Sequence, residues 1–248
     1  DDMIDSDDAR HGKKAFHAEF GRDKAVIFAL VLLGKGSAGI NDIFQHTKSS
    51  HQSVALYSQT IYRMATGCLE ELELNPLSRY DTERIRRIID LETISLIKNS
   101  LLLGYWSNSG TELSMEQAVV EIGENCGYIF QILNDLEPFS SAEKNSAYKG
   151  SCNIDLDRDR KNIAVAYIYG AASKREKQLL TSLSGEELCS LVLELYKKYS
   201  IYQEICDEAR ALEQQTDDLI SALHRSGRPA GSLDDFRTFV HEMVEICF

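Results

Sequence analysis

Apolar residues recur along this chain every three or four positions, the period of a helix with one buried face. After Asp81-Thr-Glu-Arg84, residues Ile85, Ile88, Ile89, Leu91, Ile94 and Leu101 keep that spacing. A second stripe, Val119, Ile122, Cys126, Ile129, Ile132 and Leu133, follows Ser114-Met-Glu-Gln117. That quartet has the form of a capping box, in which Ser114 accepts from the first turn and Gln117 reaches back. The same form at Ser184-Gly-Glu-Glu187 precedes Leu188, Leu191 and Tyr196, and at Ser232-Leu-Asp-Asp235 it precedes Phe236, Phe239 and Met243. No stretch alternates apolar and polar residues between turn dipeptides, so no strand is predicted. Loops fall at residues 74–79, 106–113, 138–153 and 226–231, and only the third is long. The pattern predicts an all-α helical bundle, a single domain over residues 1–248.

Composition narrows the picture. Only three of 248 residues are proline, which leaves the chain free to run long helices, and 43% hydrophobic residues exclude a disordered polymer. A net charge of −12, from 39 acidic and 27 basic residues, argues against nucleic-acid binding, which needs a basic face. The longest apolar run, Ala25 to Gly34, is too short to span a bilayer and predicts a buried helix segment, with no transmembrane span. The acidic start DDMIDSDD is the opposite of a secretory leader. Six scattered cysteines without a CxxC pair read as reduced thiols, consistent with a cytoplasmic location.

The first candidate chemistry is Asp1-Asp2-Met3-Ile4-Asp5. On a helix, Asp1 and Asp5 lie one turn apart with Asp2 beside them. Like charges so close call for a counter-charge, and hard oxygen donors at this spacing suit Mg²⁺ sharing a substrate phosphate. The next residues include Arg10, His11, Gly12, His17 and Gly21. The stretch resembles the first aspartate-rich motif of the trans-isoprenyl (polyprenyl) diphosphate synthase family: DDxxD, four residues, RRG, then a histidine and a glycine. The segment Phe130-Gln131-Ile132-Leu133-Asn134-Asp135-Leu136-Glu137-Pro138 is similar to the family's second motif, FQIxDDxxD, with an amide at the first acid and proline at the last. Three further segments, 66–72, 91–96 and 155–164, resemble the family's G-Q-x-x-D-L, K-T-A-x-L and D-L-x-x-G-K-x-T-L-P in outline.

The resemblance implies an isoprenoid-synthase-like bundle around a central apolar cavity and Mg²⁺ as cofactor. It implies metal ligation by Asp1, Asp2, Asp5, Asn134, Asp135 and Glu137, diphosphate contact by Arg10, His11, Lys149 and Arg160, and Gln131 beside the reacting carbon. Phe16, Phe20, Phe28, Tyr128 and Phe130 are expected in the core or around the cavity. Two departures carry consequences. His11 replaces an arginine and offers no bidentate fork. Glu92 replaces a lysine that in the family contacts the allylic diphosphate, so a metal or basic group must intervene. The family also has several helices ahead of its first motif, which here begins at residue 1; an omitted segment or another chain would supply them.

The implied activity is Mg²⁺-dependent ionisation of an allylic prenyl diphosphate and condensation with isopentenyl diphosphate, in a homodimer. Two alternatives stay open: a class I cyclase, or transferase to another acceptor, and a non-catalytic subunit of a hetero-oligomeric synthase. The cyclase metal motif NDxxSxxxE fits at Asn134 and Asp135 and fails at Pro138 and Ala142.

Overall fold

A computed structural model describes residues 2–5, 7–10, 12–107, 113–139, 160–225 and 231–246. The first aspartates form one helical turn, α1 (Asp2–Asp5), closed where the Asp7 N–H donates to the Asp2 carbonyl at 2.8 Å. Two short antiparallel strands follow, β1 (Ala9–Arg10) and β2 (Lys13–Lys14), around Gly12 at φ +72°. The sequence pattern predicts no strand here, because a two-residue pair is too short to show alternation. Next come α2 (Phe16–Phe20), α3 (Arg22–Phe44), α4 (Ser50–Leu72) and α5 (Thr82–Ile89). Asp81 caps α5 by accepting from the Arg84 N–H.

The periodic stretch after Asp81 is not one uniform helix. Residues Asp90–Ile94 form a π-helical turn between α5 and α6 (Ser95–Ser107). A π-turn inserts an extra residue and rotates the side chains that follow it. It is gripped from two sides at glycines. A Cβ on Gly67 of α4 would lie 2.5 Å from Glu92 Cγ. On α7 (Leu113–Leu136), a Cβ on Gly127 would lie 2.8 Å from Ile94 Cα, and one on Gly123 2.6 Å from Lys98 Cα. Hydrogen as side chain lets both helices approach the turn this closely.

The chain continues through α8 (Ile163–Ala171), α9 (Lys174–Ser182), α10 (Gly185–Lys198), α11 (Ile201–Arg225) and α12 (Gly231–Ile246). The stripe on α7 is central, with α6 on one side and α11 on the other. Ile122, Ile129 and Ile132 are fully buried there and meet Ile85, Ile163 and Ile205 in one continuous core. Each such side chain contributes about 1.5–3 kcal/mol by leaving water. Among the described residues the fold is all-α apart from the short strand pair.

Several expectations need correction. Ser184 makes no capping hydrogen bond, and Gln117 donates to Glu121 one turn on at 2.8 Å. A complete capping box lies at Ser173–Glu176, ahead of α9. The run Ala25–Gly34 is not buried: it belongs to α3, an outer helix that packs mainly along α2 and α4, leaving Ile27 62% and Leu30 63% exposed. The helix also continues past Gly34, so its 23 residues are long and apolar enough, by length and composition, to cross a membrane. Phe16 stacks on Phe28 at 4.8 Å, yet both are exposed, as are Phe20 and Phe130; of the five aromatics only Tyr128 is buried. Cys126, Cys189 and Cys206 are buried free thiols, and Cys152 and Cys247 lie outside the described residues.

Candidate functional site

The site is organised by four consecutive residues, Arg160 to Ile163, that lead into α8. Arg160 donates from Nη2 to the Ile4 carbonyl of α1 at 2.6 Å. Asn162 donates from Nδ2 to the Asp135 carbonyl at 2.9 Å, near the C-terminal end of α7. The Ile163 N–H donates to Asp135 Oδ2 at 2.7 Å. One short segment therefore holds the one-turn helix of the first motif and the helix end of the second. Asn162 also caps α8, accepting from the Val165 N–H at 3.1 Å.

Asp135 is 5% exposed, and its other oxygen, Oδ1, accepts from Gln131 Nε2 at 2.7 Å. Gln131 Oε1 accepts in turn from the Thr93 hydroxyl at 2.6 Å. Thr93 sits in the π-turn, so this chain runs from the π-turn through α7 to the start of α8. The i, i+4 spacing of Gln131 and Asp135 makes that geometry possible on one helix face. Asn134 and Glu137 are half-buried at the same helix end, and Asp2 is half-buried on α1. Asp5 ends α1 and Arg10 lies in β1. Asp1, His11 and Lys149 lie outside the described residues.

Beside this chain is a buried charge cluster. Lys161 Nζ pairs with Glu92 Oε2 and lies 3.5 Å from Glu71 Oε2. The Lys161 N–H donates to Glu71 Oε1 at 2.9 Å, and Arg160 Nη1 is 3.8 Å from Glu71 Oε2. Glu92 Oε1 is buried without a hydrogen-bond partner. Burial pushes the Glu92 carboxyl above its ordinary value, against the pull of Lys161. Burial works against the Lys161 charge, but Glu71 and Glu92 more than offset it and hold its pKa up. The Cys68 thiol, pushed up to about 11 by burial first and Glu92 second, completes the cluster. The basic group that Glu92 calls for is thus Lys161.

Glu71, Thr93 and Lys161 fall in the segments 66–72, 91–96 and 155–164, and nothing in residue order joins them into one site. The buried face of α4 explains this: it carries Ser53, Thr60, Gly67 and Glu71, small or polar residues, so an apolar stripe never marks it. The regular spacing of the first three, seven residues apart, is the available signal of a buried face.

A family model described as polyprenyl synthetase matches residues 1–198. The chain belongs to the polyprenyl synthetase family. It is 25% identical over 189 residues to a short chain isoprenyl diphosphate synthase of Methanocaldococcus jannaschii, covering 75% of this chain and 56% of that protein. It is likewise 25% identical over 179 residues to a geranylfarnesyl diphosphate synthase of Aeropyrum pernix, covering 71% of this chain and 55% of the relative. The chain spans about half the length of the curated relatives it matches. Among solved structures, a geranylgeranyl pyrophosphate synthetase from Pyrococcus horikoshii superposes with a TM-score of 0.80 at 19% identity, over 98% of this chain and 73% of that one. That likeness shows the fold of polyprenyl synthetases, including the segment beyond residue 198.

Proposed function

We propose that this polyprenyl synthetase ionises an allylic prenyl diphosphate with Mg²⁺ and condenses it with isopentenyl diphosphate. The observation that carries the reading is the tethering of both acid-bearing helix ends to residues 160–163, through Ile4 and Asp135. That brings α1 and the end of α7 to one place, as two metal-binding motifs acting on one diphosphate require.

The donors suit the ion. Asp2, Asn134 and Glu137 offer hard oxygens from two helix ends, with Asp1 and Asp5 as further candidates. Among the described residues no three His, Cys, Asp or Glu side chains gather into a closed metal cage. Mg²⁺ usually keeps several waters and takes one or two carboxylates plus substrate phosphates, so an open donor set fits it. A bound Mg²⁺ would neutralise the diphosphate and assist departure of the leaving group. The chain's own residues do the rest. Arg160 holds α1 in place and brings a guanidinium to the diphosphate, where Arg10, His11 and Lys149 are further candidates for contact. Asp135, with both oxygens already accepting hydrogen bonds, serves this reading better as a brace for Gln131 and α8 than as a ligand. Gln131, fixed at both ends of its amide, presents an oriented dipole near the reacting carbon.

We also propose that α3 is covered by a second copy of the chain. Val26, Ile27, Leu30, Val31 and Leu33 form an exposed apolar face, and monomeric proteins seldom leave such contiguous patches in water. A helix face repeated by two-fold symmetry can bury itself. The cytoplasm remains the proposed location.

Product analysis tests the function. The protein is incubated with Mg²⁺ and geranyl, farnesyl or geranylgeranyl diphosphate, with and without isopentenyl diphosphate. Longer prenyl diphosphates formed only with isopentenyl diphosphate are expected. Hydrocarbons or alcohols formed without it would point to a cyclase, and silence in both arms would refute catalysis by this chain alone. Sedimentation of Ile27→Glu/Leu30→Glu tests α3: a dimer that becomes monomer is expected, while an unchanged dimer, or capture by lipid vesicles in place of dimerisation, would remove the proposal.

A further inference from the structure

The Glu71–Glu92–Lys161 cluster is asymmetric. Glu71 is well satisfied: Oε1 accepts from the Lys161 N–H at 2.9 Å, and Oε2 lies 3.5 Å from Lys161 Nζ and 3.8 Å from Arg160 Nη1. Glu92 has Lys161 as its ion-pair partner through Oε2, and Oε1 is buried with nothing donating to it. A buried carboxylate oxygen left without a donor is costly, so the Glu92 arm of the cluster is the weaker one. Its surroundings add little. Leu91 is apolar, Gly67 has no side chain, and the Cys68 thiol is a weak donor. Burial raises the Glu92 carboxyl, which marks the same strain.

Lys161 also stands in a special place. It is one residue from Arg160, which holds α1, and two from Ile163, which holds Asp135. Its side chain is 15% exposed, so the ammonium is largely withdrawn from water and already occupied by two anions. An incoming phosphate oxygen meets this ammonium in competition with the charge of both carboxylates.

We infer that Glu92 sets the affinity of this site, as an internal anion that competes with diphosphate for the ammonium of Lys161. The inference rests on the proposed diphosphate chemistry and names the group that sets how tightly this site holds its ligand. Glu71 anchors Lys161 in both states. Glu92 is the exchangeable partner, and its negative charge stands against the ligand's own.

The probe is inorganic diphosphate with excess Mg²⁺, titrated calorimetrically into the full chain. A like charge at contact range shifts an ionic equilibrium by about tenfold or more. Glu92→Gln and Glu92→Leu are each expected to bind Mg²⁺-diphosphate about tenfold or more tightly than the unmodified chain. Adding Lys161→Met to Glu92→Gln is expected to abolish the gain, and adding Lys161→Arg to retain it. Equal or weaker binding by both Glu92 variants would overturn the inference, as would a gain that survives Lys161→Met. Loss of fold in both, seen by circular dichroism, would also overturn it, because Glu92 would then be an indispensable structural partner. If the unmodified chain elongates prenyl diphosphates while Glu92→Gln binds diphosphate no better, this inference alone fails. If no form binds Mg²⁺-diphosphate and no product appears, the proposed function fails with it.

Discussion

Asp135 separates a structural role from a metal role in one experiment. Its carboxylate is buried and accepts from Gln131 Nε2 at 2.7 Å and from the Ile163 N–H at 2.7 Å. Asp135→Ala removes both acceptors and strands two donors in the core. At about 1.5–3 kcal/mol for each bond to a charged group, the cost is about 3–6 kcal/mol. Asp135→Asn keeps one carbonyl oxygen, so one of the two donors faces an NH₂ and about 1–3 kcal/mol is lost. Domain stability is about 5–15 kcal/mol in total, so the alanine variant sits near the edge of folding. Urea titration by circular dichroism without metal reads these losses directly as midpoint shifts at constant slope. Asn134→Ala, one residue away and half-buried, should cost less than about 1 kcal/mol in the same titration. With Mg²⁺-diphosphate added, Asn134→Ala should lose the ligand-induced stabilisation that Asp135→Asn keeps. A metal-free cost under about 1 kcal/mol for Asp135→Ala, together with loss of ligand stabilisation, would refute the brace and make Asp135 a ligand.

Other predictions follow from packing and charge. Gly127→Ala places a Cβ 2.8 Å from the Ile94 backbone and should destabilise the chain and disturb the Thr93–Gln131 bond, whereas Gly104→Ala meets nothing within 4 Å on α6 and should stabilise by about 0.4–1 kcal/mol; thermal melts distinguish them. Ile129→Ala, at a fully buried position on α7, should cost about 2–5 kcal/mol by urea titration. His241 lies 2.7 Å from Glu213, whose hydrogen bond raises its pKa in the folded state. Its contribution is therefore full below the ordinary histidine value, about 6.5, and fades as pH rises through the raised one. Melting temperatures of the unmodified chain and His241→Gln should converge at high pH, and a gap that widens with pH would contradict the assignment.

Helical period, the helical segment after Asp81 and the α7 stripe were all legible from residue order, because local periodicity depends on neighbours within a turn or two. The DDxxD and FQI motifs pointed correctly to the polyprenyl synthetase family for the same reason: their chemistry is written in close spacing. What residue order could not show were relations between distant elements. Glu71, Glu92 and Lys161 come from α4, the π-turn and the entry to α8, and no local pattern joins them. The fate of the Ala25–Gly34 run was also hidden, since an apolar helix reads alike whether it is buried in its own chain or left at the surface. Asp135 shows the division most directly. Its position in a segment similar to the family's second aspartate-rich motif is a property of the sequence, but the partners that occupy its two oxygens exist only once α8 has packed against the end of α7.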